Sequence, residues 1–262
     1  MTAALTAPRD TEDGGLRSVS IAVTVLGCFA AHAELGPTRV AAELGIAKST
    51  ASRMLAALAA GGMLERADGG RYRLSLRLFE YGQLAVDRLP LRAIARPVLA
   101  ELHDSLHEMV QLGLPVGGHV LYVERVGNAG ISRLNGDVMR RVPGYSSSAG
   151  RVMAAFDAEV ARATAAVTRR KHTPFTITDP SRLDRVLQSA RTAGWVSSRE
   201  EYELGYSSVA APVFAPDGTV AGAVSVVGPT GHVTALRKDF VVACVRRAAR
   251  TVTTLLARAE ES

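Results

Sequence analysis

Cysteine is nearly absent from this sequence. Cys28 and Cys244 are the only two, far apart on apolar helical patterns. That excludes a disulfide framework and a cysteine-built zinc cluster, and it points to a reducing, cytoplasmic setting. Long apolar runs are missing as well. A membrane helix needs roughly 18 uninterrupted apolar residues; the richest stretch, Ile21 to Ala31, is about half that and reads as a buried helix. Residues 1–15 carry Arg9, Asp10, Glu12 and Asp13 with no apolar core, so a disordered arm is expected there rather than a signal peptide. No repeat of fixed period is found.

Catalytic constellations are also lacking. The run Ser146-Ser147-Ser148-Ala149-Gly150 lacks the first glycine of a G-x-S-x-G nucleophile elbow. A serine-rich loop opening a helix more often serves as cap and anion cradle. His103 and His107 lie four apart beside Glu108, but a third ligand is not evident and the motif is not H-E-x-x-H. They read as a solvated helix face. Cys28 has no basic neighbour to lower its pKa and reads as core packing. The expectation is no catalytic residue, no metal and no cofactor. Two rivals stay open on the residues alone: a small-molecule hydrolase, and a sensor or adaptor that does not bind DNA.

What is present is enough for two domains: 262 residues, 47% hydrophobic and 21% charged, with a net charge of +6. The charge is concentrated. Between Gly36 and Leu78 stand seven basic residues (Arg39, Lys48, Arg53, Arg66, Arg71, Arg73, Arg77) against Glu43, Glu65 and Asp68, a net of +4. That favours a polyanionic partner.

The same region has a recognisable order of elements. Val19, Ala22, Leu26 and Phe29 predict a first helix over about 18–31. Gly36-Pro37 opens a short helix that Gly45 ends. Ala51, Met54, Leu55 and Leu58 then mark a third helix, stopped by Gly61-Gly62. Two short strands, 63–66 and 71–74, flank the hairpin signal Asp68-Gly69-Gly70. Helix, helix, turn, helix, hairpin is the winged helix-turn-helix order. Lys48, Ser49, Thr50, Ser52 and Arg53 lie off the apolar stripe at the start of the third helix, the part that a recognition helix presents to base edges. Arg71 and Arg73 on the wing suit phosphate or minor-groove contact.

Residues 76–86 read as a linking helix. Leu91, Ile94, Ala95, Val98, Leu99, Leu102 and Leu106 form a further stripe, with Pro97 inside it predicting a kink or a new helix start. Strands are expected at 110–114, 119–126 and 131–134, helices at 148–156, 158–167 and 180–193, and strands again near 195–197, 207–215 and 219–227. A final helix, 236–258, places Leu236, Phe240, Cys244, Ala248, Val252 and Leu255 on one face. An antiparallel sheet with helices gathered on one side would bury this pattern, an α+β domain.

These residues resemble a known family. Gly45 through Leu55, then Glu65-Arg66 and Gly70 through Leu74, are similar to the DNA-binding domain of IclR-type (isocitrate lyase regulator) bacterial transcription factors. Leu91 through Leu99 resembles that family's linker segment, Val120 through Val126 its first effector-domain hairpin, and Gly194-Trp195, Glu200-Glu201, Gly205, Ala210 through Phe214 and Ser225 through Pro229 its C-terminal signature. The resemblance implies a GAF-like effector domain, homodimers and often tetramers, a double-stranded DNA operator, and control of a metabolic operon. It divides the chain into an arm (1–15), a winged helix-turn-helix (16–78), a linker helix (79–90) and an effector and oligomerisation domain (91–262). It also implies an effector site at Ser147, Ser148, Ala149, Gly150, Ser198, Ser208, Ser225 and Val227, to which Leu134, Met139 and Met153 are added as an apolar wall. Tyr145 stands where the family often has His, Arg151 where Lys is usual, Ser198 where an acidic residue is common, Ser208 where Cys is frequent and Val227 where Ser is frequent. Losing the acidic side chain and gaining an apolar wall predict a small carboxylate with an apolar or aromatic body.

Overall fold

The computed structural model describes residues 14–127 and 141–260, with side chains from Arg17 onward. Most of the expected arm, the strand expected at 131–134, and Leu134 and Met139 lie outside the described residues. The chain forms two compact units that divide at Ala85/Val86.

The first unit comprises α1 (Gly14–Cys28), α2 (Pro37–Leu44), α3 (Lys48–Ala60), β1 (Leu64–Ala67), β2 (Arg71–Leu74) and most of α4 (Leu76–Asp87). Its core is small: Val25, Cys28, Phe29, Val40, Leu44, Ala51, Leu55, Leu64 and Tyr72 enclose one another. Leu35 ties the helices to the hairpin by a two-way backbone bridge with Tyr72 (3.0 and 2.9 Å). α1 turns a different face inward from the expected one. Val19 is 62% exposed, whereas Val25, Cys28 and Phe29 are buried. From Ile21 to Leu26 nearly every residue is apolar, so periodicity alone could not select the face.

The second unit is a six-stranded antiparallel sheet in the order β5-β4-β3-β8-β7-β6. Its strands are β3 (Met109–Val116), β4 (His119–Val126), β5 (Arg141–Pro143), β6 (Val196–Arg199), β7 (Tyr206–Phe214) and β8 (Val220–Pro229). Helices cover both faces rather than one. α5 (Pro90–Leu106) and α9 (Lys238–Glu260) pack against Val110, Leu112, Val209, Ala211, Val224 and Val226. α6 (Ser148–Phe156) and α8 (Pro180–Ala193) lie over the alternate residues, among them Val120, Tyr122, Ala210 and Ala223, with α7 (Ala158–Ala166) beside them. Burial on both faces explains why β7 and β8 read as nearly unbroken apolar runs.

α5 runs through Pro97 as one helix. The proline lacks the N–H that would bond four residues back, yet Val98, Leu99 and Leu102 hold the next turn against the sheet. α9 begins later than expected. A π-helical turn at Gly231–Ala235 precedes it, leaving Leu236 88% and Phe240 51% exposed. Val241, Val245, Ala248 and Val252 carry the buried face instead. No helix among the described residues is long and apolar enough to cross a membrane.

Candidate functional site

The first unit presents α3. Ala51 and Leu55 anchor it in the core at 0% exposure, which fixes the opposite face outward. Lys48, Ser49, Ser52 and Arg53 are exposed there, and Thr50 is half-buried. The approach is set by Gly45 in the left-handed region (φ 65°) and by Ile46, whose N–H reaches the Ala41 carbonyl at 3.1 Å. Arg71 pairs with Glu34 (3.2 Å) and Arg73 with Glu65 (3.0 Å) on the wing, while no ion pair joins Lys48 or Arg53 among the described residues. Such exposed pairs are worth about 0–1 kcal/mol, so they orient the wing arginines without withholding them from a phosphate. Cys28 is buried, and burial pushes its thiol pKa up. It packs.

In the second unit a polar pocket lies between the sheet and the start of α6. Two rows of residues in register form its floor. One runs Met109, Val227, Ser208, Ser198 across β3, β8, β7 and β6. The next runs Arg125, Gln111, Ser225, Ala210, Val196. A bulge where Leu112 pairs with Glu124 and Gly113 with Tyr122 leaves Val123 unpaired and brings Tyr122 and Arg125 to the same face. The Arg125 guanidinium stands 5.4 Å from the Tyr122 ring centroid. Gly113 makes room for that ring: a Cβ there would lie 3.3 Å from Tyr122 Cε1 and 2.5 Å from Val120 Cγ1. Burial pushes the Tyr122 phenol up to about 12, so it remains a hydroxyl donor at neutral pH.

The cavity is about 40 Å³ and is bounded by Gln111, Tyr122, Val142, Ser146, Ser147, Ser198, Tyr202, Glu203, Tyr206, Ser207, Ser208 and Val227. That volume holds a few water molecules. Ser147 caps α6, its hydroxyl accepting from the Gly150 N–H at 3.0 Å, and Ser148 donates its hydroxyl to Ser208 at 2.8 Å. The N–H groups of Ser148 and Ala149 have no acceptor among the described residues. A larger cleft of about 490 Å³ lies outside the pocket, walled mostly by the exposed side chains of Pro174, Phe175, Arg182 and Arg199.

Arg151 turns away from the pocket. It is 1% exposed; its Nε donates to the Tyr145 carbonyl (2.7 Å) and its two terminal nitrogens to the Glu201 carboxylate. Glu201 also accepts from the Ile177 N–H at 3.2 Å. The segment 167–179 is tied down at the same place, by Thr173 and Thr176 hydroxyls donating to the carbonyls of Glu200 and Glu201 (both 2.6 Å). Among the described residues no cluster of three His, Cys, Asp or Glu side chains is placed to hold a metal. His103 bonds the Glu108 carbonyl at 2.8 Å, and Glu108 pairs with His232 at 2.9 Å.

Both units match the same family models. Residues 18–68 match the IclR helix-turn-helix domain and residues 83–254 the C-terminal domain of the bacterial transcriptional regulator IclR. The chain belongs to the IclR family. It is a DNA-binding transcriptional regulator and not an enzyme. Its IclR relatives include the HTH-type transcriptional regulator KipR of Bacillus subtilis, 29% identical over 89% of this chain and 94% of that protein. The glycerol operon regulatory protein of Streptomyces coelicolor is 32% identical over 83% of this chain and 87% of that one. A crystal structure of an IclR homolog from Microbacterium hydrocarbonoxydans, complexed with 4-hydroxybenzoate, superposes with a TM-score of 0.75 at 28% identity, covering 92% of this chain and 99% of that one.

Of the effector residues expected from the IclR resemblance, Ser147, Ser198, Ser208 and Val227 line the pocket and Ser225 sits in its floor. Ala149 and Met153 are packed in the core beneath α6, and Gly150 lies against Gly144, where a Cβ would meet the Gly144 Cα at 2.3 Å. Gln111, Tyr122, Arg125 and Tyr202 were not expected. Strand alternation could have placed Gln111 and Tyr122; nothing in the sequence marks the bulge that turns Arg125 inward.

Proposed function

We propose that this regulator changes its hold on an operator when a small carboxylate enters the α6 pocket. The observation that carries the reading is the pairing of two features around one buried cavity. The start of α6 has backbone donors to spare, and Arg125 puts a guanidinium on the same face of the sheet. Helix N-termini and guanidinium groups both favour an anion. The 4-hydroxybenzoate complex of the Microbacterium homolog supports a carboxylate of this size class. The cavity is far smaller than an ordinary ligand pocket of about 300–1,000 Å³. Side chains must therefore shift on binding, which is one way for occupancy to be felt elsewhere.

On the DNA side, Lys48, Ser49, Thr50, Ser52 and Arg53 read bases and nearby phosphates, and Arg71 and Arg73 steady the wing on the backbone. The cytoplasm is the compartment that fits this role. A ligand at 100 times its dissociation constant stabilises a fold by about 2.7 kcal/mol, which a thermal shift detects. Small carboxylates are expected to raise the melting temperature while their neutral amides do not; equal shifts from acids and amides would remove the anion from the account.

Two half-sites, and so a dimer, follow from the small reading surface of one winged domain. Val19 and Val23 on α1 and Leu76, Phe79 and Leu84 on α4 are exposed apolar side chains that support an interface there. Light scattering at micromolar concentration is expected to give a dimer or tetramer mass. A monomer would contradict it.

A further inference from the structure

The walls of the pocket carry more hydrogen-bonding groups than a carboxylate alone can use. Gln111 is 3% and Ser225 1% exposed, and they are neighbours in register on β3 and β8. The Ser225 hydroxyl, close to the Tyr122 phenol, has no hydrogen-bond partner among the described residues. The Gln111 amide donates only to the Met109 sulfur, at 3.8 Å, a weak acceptor. Buried polar groups left this poorly matched are costly, and natural cores avoid them unless something else completes the set. Around them the cavity is hydroxyl-rich, and Val142 and Val227 are its only aliphatic walls among the described residues.

We infer that the effector is a hydroxylated carboxylate, and that Gln111 and Ser225 read its hydroxyl group. The inference rests on the carboxylate reading above and departs from the apolar or aromatic body expected from the sequence. A hydroxyl both donates and accepts, so it satisfies the Gln111 amide and the Ser225 oxygen together, while the acid group stays with the α6 donors and Arg125. Water fills this role when the pocket is empty of ligand. An acid without a hydroxyl displaces that water and leaves Gln111 and Ser225 unmatched, so it binds less well. Sites built around a ligand hydroxyl reject the analogue that lacks it more strongly than apolar pockets reject a missing methylene.

The test is a calorimetric comparison of matched acids on the full chain: propionate against lactate and glycerate, and benzoate against 4-hydroxybenzoate. In at least one set the hydroxylated acid is expected to bind about tenfold more tightly than its partner. In Gln111→Leu that ratio is expected to fall to near one. Should Gln111→Leu lose its cooperative melting, Ser225→Ala, which removes a single oxygen, carries the same comparison. Equal affinities within every set, with acids still bound, would overturn the role of Gln111 and leave the carboxylate reading standing. No binding by any of these acids would overturn both.

Discussion

Glu201→Ala is expected to destabilise the second unit by about 3–5 kcal/mol, the largest effect of any single substitution considered for this protein. Arg151 and Glu201 are both out of solvent, and the guanidinium has no route to water once its partner is gone. A buried ion pair gains little over apolar residues of the same volume, but half of one is expensive because the surviving charge remains desolvated. Removing Glu201 also strips the Ile177 N–H of its acceptor and loosens the 167–179 segment that Thr173 and Thr176 hold. At roughly 2–4 °C per kcal/mol for a domain of this size, the melting temperature falls by about 6–20 °C. The double variant Arg151→Met with Glu201→Leu removes both charges and is expected to recover most of the loss. A fall of under about 1 kcal/mol in Glu201→Ala would show that Arg151 is solvated and that the pair does not organise this end of α6.

Arg53→Ala carries the second large effect, on DNA rather than on stability. Arg53 is exposed on α3, away from the core residues Ala51 and Leu55, so truncating it leaves the fold intact. A guanidinium paired with one base is worth about 1–3 kcal/mol, or roughly 5- to 150-fold in affinity, and its loss relaxes selectivity at one operator position. A phosphate contact would instead weaken binding evenly across sequences and reduce the salt slope by about one. Operator selection from random DNA, followed by anisotropy titrations at two salt concentrations, separates the two. Unchanged affinity and preference in Arg53→Ala would take Arg53 off the reading surface.

The parts of the fold legible in the sequence are those whose signal is local. Pro37 with Gly45 bounds α2, Asp179 with Gly194 bounds α8, and Gly117-Gly118 and Asp217-Gly218 mark tight turns; each acts through its own backbone geometry. α3 was legible because its apolar stripe is narrow. What stayed hidden depends on contacts distant in sequence. Helices on both faces of the sheet showed only as the unbroken apolar character of β7 and β8, which a buried helix segment would share. The segment 167–179 has no apolar period because hydroxyls and a carboxylate hold it. The pocket is hidden for a related reason. A lone glutamine in a strand reads as solvent-facing, and Gln111 is buried only because Ser225 and Arg125 flank it in register. Likeness to the IclR family supplied the serines, but it could not supply the bulge that brings Arg125 in.

The most direct measurement of the central claim is the affinity for a selected operator with and without a carboxylate that raises the melting temperature. Binding to the pocket and binding to DNA are expected to be coupled, so the acid changes the operator dissociation constant by about 5- to 150-fold. Linkage requires the operator to change the acid's affinity by the same factor, which titration of the protein–DNA complex reads independently. An acid that saturates the pocket while the operator affinity stays the same would contradict the account.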